Sequence, residues 1–152
     1  MQFIDLKAQY AALKDEIDAN MQEVLNDAAF IGGKYVRELE TQLAAFTGRR
    51  HCITCANGTD ALQLAFMALG VGEGDAVFAP DMTFISSTEP AAMFGAVSVF
   101  CDITPDTYDL DPASLERQIK AVLAEGKYTP KAVVAVDILG NPCDYDAVSA
   151  VC

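Results

Sequence analysis

Short apolar runs alternate with helix-like stretches along most of this chain, and that alternation constrains the fold more than any other feature. Residues 51–56, 76–79, 97–101 and 132–136 are apolar and strand-length. Between them lie segments with a three- and four-residue apolar period: 60–69, 84–94 and 112–123. Strands that alternate with helices predict an α/β layer, a mostly parallel sheet with covering helices. Asp144 reads as the N-cap of one more helix, and 125–130 as the loop before the last strand.

Two helices are expected ahead of this layer. In 8–26, Leu13, Ile17, Met21 and Val24 or Leu25 recur on one face; in 35–47, Leu39, Leu43 and Phe46 do so. Phe30-Ile31-Gly32-Gly33 separates them and Gly48 ends the second. The expected organisation is therefore a helical segment over residues 1–50 and an α/β segment over 51–152.

With 152 residues, 52% of them hydrophobic, the chain can bury a real core. A net charge of −12 argues against a nucleic-acid backbone or an anionic membrane as partner. No basic, apolar leader opens the chain, and no run approaches the ~18 apolar residues that span a bilayer. Five cysteines without an export signal are expected to be reduced thiols in the cytoplasm. Cys52-x-x-Cys55 beside His51 has no second paired motif, so these thiols are expected to be small buried residues and no metal is expected.

The stretch Cys55-Ala56-Asn57-Gly58-Thr59-Asp60-Ala61-Leu62 is a small-residue turn that opens a helix. Backbone amides at such a turn, with the helix dipole behind them, suit a phosphate. An ordinary turn capped by Asn57 or Thr59 looks the same, and the turn alone favours that reading, since many α/β turns of this kind bind nothing. Four aspartates, Asp102, Asp106, Asp109 and Asp111, follow the 97–101 run. Hard cations like such oxygens, but Pro105, Pro112 and the absence of EF-hand spacing favour a turn and a capped helix.

The ordered set of motifs resembles the N-terminal part of the pyridoxal-phosphate-dependent nucleotide-sugar aminotransferases, the DegT-like family. It comprises Phe3-Ile4-Asp5-Leu6-Lys7, Phe30-Ile31-Gly32-Gly33, the 55–62 turn, Gly72-Glu73-Gly74-Asp75 through Pro80, Met82-Thr83-Phe84, and Asp102 through Pro112. Within the family the chain looks most like enzymes that aminate the 3-keto sugar of a UDP-linked N-acetylated uronic acid. The resemblance implies the aspartate-aminotransferase fold (PLP fold type I). This chain would supply the N-terminal helices and the first half of the large domain's sheet, whose last strands would lack a neighbour; a C-terminal small domain would follow.

The resemblance also implies roles. Gly58 and Thr59 would hold the phosphate of pyridoxal 5'-phosphate, and Asp60 would stabilise the first helical turn. Phe84 would stack on the cofactor ring; read without the resemblance, it is more often a core residue of the following helix. Phe30–Gly33 would lie near the sugar nucleotide or a dimer contact. Asp137 ends an apolar run where a pyridinium partner is tempting, but in the family that aspartate lies in a later strand. Asp137-Ile138-Leu139-Gly140 also departs from the usual His or Ser before x-x-Gly, so no role is carried to it. The Schiff-base lysine is expected beyond Cys152, and the chain alone is expected to be inactive. The implied partners are a nucleotide-linked keto sugar, glutamate as amino donor and a second copy in a homodimer, with polysaccharide biosynthesis as the setting. A sugar dehydratase of the same family, with histidine for the lysine, and a non-catalytic sensor or scaffold are the alternatives.

Overall fold

The computed structural model describes residues 3–152, which form two compact units, one up to Thr54 and one from Cys55 to Cys152. The first holds α1 (Leu6–Asp27) and α2 (Lys34–Thr47). Asp5 caps α1 by accepting from the Ala8 amide at 2.9 Å. Between the helices, Gly32 takes a φ of 58°, and a side chain at Gly33 would meet the Ala29 carbonyl oxygen at 3.1 Å. The two glycines of Phe30–Gly33 thus have a local reason to be there. Gly48, at φ 65°, ends α2.

A polar clamp joins the helix ends. The Lys34 ammonium lies 2.7 Å from Asp27, and the Tyr35 hydroxyl donates to the same carboxylate at 2.6 Å. The Lys34 contact, then the Tyr35 bond, hold the Asp27 carboxyl below its usual range, and the Asp27 carboxylate pushes the Lys34 ammonium up. A depressed carboxyl pKa contributes stability above its unfolded value of about 4 and loses it as pH falls through the folded one. The raised Lys34 value contributes below the unfolded lysine value of about 10.4 and loses it as pH rises through the folded one. The clamp is therefore expected to be fully present between those two ordinary values. An acid unfolding profile of Asp27→Asn should lie below that of the unaltered protein at neutral pH and converge with it in acid. Parallel profiles at every pH would rule the clamp out.

The second unit runs α3 (Gly58–Leu69), β1 (Asp75–Pro80), a 3₁₀ turn (Ile85–Ser87), α4 (Glu89–Met93), β2 (Val97–Cys101), α5 (Pro112–Glu125), β3 (Thr129–Val133) and α6 (Tyr145–Val151). The strands form a parallel sheet in the order β2-β1-β3. Ala76 faces Val97, and Pro80 faces Cys101. The β1–β3 register slips between Ala76 and Val77. Side chains on a strand alternate between faces, and β1 shows it. Ala76 and Phe78 pack with Cys101, Leu115, Val122 and Val148 under α5 and α6. Val77 packs with Phe66, Ala91 and Ala96 under α3 and α4. Both faces are covered, which is why β1 reads as an unbroken apolar run.

Four expectations need correction. Residues 51–56 form no strand: they have no regular structure and no ladder bonds among the described residues, and Ile53 is 81% exposed. A strand exists only by pairing, and apolar composition does not supply a neighbour. The last strand lies earlier than 132–136, at Thr129–Val133, because its register is set by β1. The helix expected over 84–94 is a 3₁₀ turn and then the five-residue α4, since Pro90 fits only a first helical turn. The loop 125–130 is likewise shortened by the start of β3.

Candidate functional site

Sheet topology places the predicted residues. The C-terminus of α3 is followed within a few residues by the start of β1, so α3 runs back along the sheet. Its N-terminus therefore stands at the edge where the strands end. The segment after Pro80, which carries Phe84, leaves β1 at that same edge, and α3 packs against the Ile85–Ser87 turn. In open parallel sheets this carboxyl edge is where ligands bind.

At the start of α3, Asn57 is the cap. Its Oδ1 accepts from the Asp60 amide at 2.9 Å, and its Nδ2 donates to Asp60 Oδ2 at 3.2 Å. This reciprocal pair resembles a capping box. It also answers what Asp60 does: the carboxylate is tied back to the cap, where it suits the positive end of the helix dipole. The amides of Gly58 and Thr59 and the Thr59 hydroxyl have no hydrogen-bond partner among the described residues. A side chain added at Gly58 would meet no atom within 4 Å, so the backbone here is open on its Cβ side. Two free amides, a free hydroxyl and a 12-residue helix behind them fit a phosphate-sized anion.

Phe84 is 69% exposed and has extended backbone, φ −77° and ψ 144°, just before the 3₁₀ turn. It is neither in a helix nor in the core of this unit. The turn behind it is fixed by a 2.7 Å hydrogen bond between the Thr83 and Ser87 hydroxyls. An aromatic face open at a sheet edge is a surface on which a flat ring can lie. In the protein that carries this chain, Phe84→Ala is expected to shift the absorbance of a bound cofactor and weaken its binding, while Phe84→Tyr leaves both near normal. An intact spectrum with a collapsed melting temperature would mean that Phe84 serves packing instead.

The remaining candidates separate. Cys52 is half-buried and Cys55 exposed, so the expectation that both are buried small residues is corrected; Cys55 donates its thiol hydrogen to the Asn57 carbonyl at 3.3 Å. The thiols buried here are Cys101, pushed up to about 11 chiefly by that burial, and Cys143. Of the four aspartates, Asp111 caps α5 through the Ala113 and Ser114 amides, and Asp102 receives the Ser114 hydroxyl and Arg117. Asp109 is 4% exposed and accepts from Asn141 Nδ2 at 2.7 Å. Asp137 takes the Cys143 amide and the Tyr145 hydroxyl. Sequence reading missed the last two contacts. Asp109 and Asn141 lie 32 residues apart with no spacing to announce them.

Known proteins share the sequence and fold of this chain. The chain is 48% identical, over 99% of its length and 40% of the relative's, to a UDP-2-acetamido-2-deoxy-3-oxo-D-glucuronate aminotransferase of Pseudomonas aeruginosa. It superposes on the crystal structure of a DegT/DnrJ/EryC1/StrS aminotransferase from Brucella abortus with a TM-score of 0.96 at 42% identity, covering 99% of this chain and 40% of that one. It also matches the crystal structure of NtdA from Bacillus subtilis with bound cofactor PMP, with a TM-score of 0.77 at 27% identity, covering 90% of this chain and 30% of that one. The fold is thus that of part of an aspartate-aminotransferase-like large domain, and the chain spans about two fifths of the first relative's length. The sequence profile of the DegT/DnrJ/EryC1/StrS aminotransferase family matches residues 11–152, and the chain belongs to that family.

Proposed function

We propose that the protein carrying this chain is a pyridoxal-phosphate-dependent aminotransferase that moves an amino group from glutamate to a keto sugar on a nucleotide. One observation carries this reading: unclaimed donors of Gly58 and Thr59 share the carboxyl edge of the sheet with the exposed ring of Phe84. These residues fit pyridoxal 5'-phosphate. The amides of Gly58 and Thr59 and the Thr59 hydroxyl would bind its phosphate, and Phe84 would orient its ring. When bound, the cofactor supplies an electron sink. The chain's own part is to anchor and orient. Asn57 keeps the Asp60 carboxylate turned toward the cap, which limits repulsion of the phosphate.

The P. aeruginosa relative supports a UDP-linked 3-keto N-acetylated uronic acid as the sugar, and polysaccharide biosynthesis as the setting. Residues 1–50 act as an N-terminal helical segment and 51–152 as the first half of the cofactor domain. The lysine that would hold the cofactor is assigned to no position here. A homodimer is supported by exposed apolar side chains, Met82 and Ile85 beside Phe84 and Met67 and Met93 on the covering helices. A cytoplasmic location is supported by unbonded cysteines; among the described residues no helix is long and apolar enough to cross a membrane.

The test is direct. The full-length enzyme should show a cofactor absorbance band, and glutamate with the UDP-linked keto sugar should yield the amino sugar and 2-oxoglutarate. Absence of the band after addition of pyridoxal phosphate would reject the reading. A band with loss of water from the sugar, and no amination, would point to a dehydratase.

A further inference from the structure

We propose that Asp137 is a positioning residue: through the Cys143 amide and the Tyr145 hydroxyl it holds residues 138–142 as a fixed wall at the carboxyl edge of the sheet. The proposal rests on the reading above only in placing a cofactor at that edge.

Asp137 follows β3 by four residues. Its Oδ1 accepts from the Cys143 amide at 2.9 Å, and the Tyr145 hydroxyl lies 3.1 Å from each of its oxygens. Its main-chain carbonyl accepts from the Gly140 amide at 3.0 Å, closing a turn in which Gly140 has a φ of 79°. One residue thus ties the start of the loop to its middle and its end. The consequences extend beyond the loop. Cys143, at the far end, is 4% exposed and packs in the core under α5 and α6. Asn141, between the ties, donates to Asp109 on the β2–α5 connection at 2.7 Å. Asp109 is itself 4% exposed, and its other oxygen has no partner among the described residues. A buried carboxylate with so few donors depends on the one it has. The geometry of Asp137 therefore fixes where Asn141 meets Asp109 and braces the connections leaving β2 and β3 against each other. Both Asp137 oxygens are engaged as acceptors, by the Cys143 amide and the Tyr145 hydroxyl.

The role needs an acceptor oxygen, not a charge, and this distinguishes it from catalysis. In the full-length enzyme loaded with pyridoxal phosphate, Asp137→Ala is expected to raise N-ethylmaleimide labelling of Cys143, read by peptide mass spectrometry, about tenfold or more. Cofactor affinity should fall with it. Asp137→Asn keeps an acceptor and should label within about threefold of the unaltered enzyme, with affinity restored. Tyr145→Phe removes one tie while keeping the ring, should give intermediate labelling, and serves if the alanine variant does not fold. Unchanged Cys143 labelling in Asp137→Ala and Tyr145→Phe would overturn the proposal. So would an asparagine variant as impaired as alanine, because charge would then be the requirement. An enzyme that shows the expected labelling but never takes the cofactor supports the clamp and removes the functional reading instead.

Discussion

Thr59→Val in the full-length enzyme is expected to lower the affinity for pyridoxal phosphate about ten- to a hundredfold, because a hydrogen bond to a charged group contributes ~1.5–3 kcal/mol. The structure makes this a clean measurement. The Thr59 hydroxyl has no protein partner among the described residues, and Asn57, not Thr59, caps α3. Removing the hydroxyl therefore leaves the fold's own hydrogen bonds in place, and valine matches threonine in shape. Thr59→Ser should restore binding. Asn57→Ala should behave differently: it removes the cap at a cost of about 1 kcal/mol in stability and frees the Asp60 carboxylate to repel the phosphate. Absorbance titration with the cofactor, beside thermal unfolding of each variant, separates the two effects. Equal affinity in Thr59→Val and the unaltered enzyme would mean that the phosphate binds elsewhere.

Phe78→Ala is expected to destabilise the α/β unit by about 3–5 kcal/mol, through lost burial and the cavity it leaves. Phe78 is 1% exposed, stands on the central strand, and packs with Leu110 and Leu115 beneath α5. Phe100 offers the control. It has the same side chain on strand β2, but it is 51% exposed, and Phe100→Ala should cost well under half as much. Hydrogen exchange of the β1 amides reads the difference in the intact protein. Similar protection in both variants would show that the Phe78 face of the sheet is not the core.

The two phenylalanines show how far the sequence reaches. Residues 76–79 and 97–101 read as strands, and the structure places β1 and β2 over them. Central or edge position cannot be read from either run, because the order β2-β1-β3 is a property of pairing between distant segments. Residues 51–56 mark the same limit. They are apolar enough for a strand, yet they pair with nothing described. Phe84 marks it again: its residue type alone favoured a buried helical residue, and its exposed ring follows from where β1 ends and where Pro90 lets α4 begin.

Local chemistry, by contrast, was fully legible. Asp111 before Pro112, Asp144 before Tyr145, Gly48 and Gly126 after their helices, and the capped turn at Asn57–Asp60 act within three or four residues, and each does what its type predicts. The sequence by itself determined the capping residues, the α/β alternation and the ordered motifs that place the chain in its family. Only the tertiary structure decided which strand lies at the centre, that Asp109 is buried against Asn141, and that Asp137 closes a loop. Caps and periods are set by neighbours along the chain, whereas burial and cross-loop contacts join residues many positions apart, and no local pattern encodes their meeting.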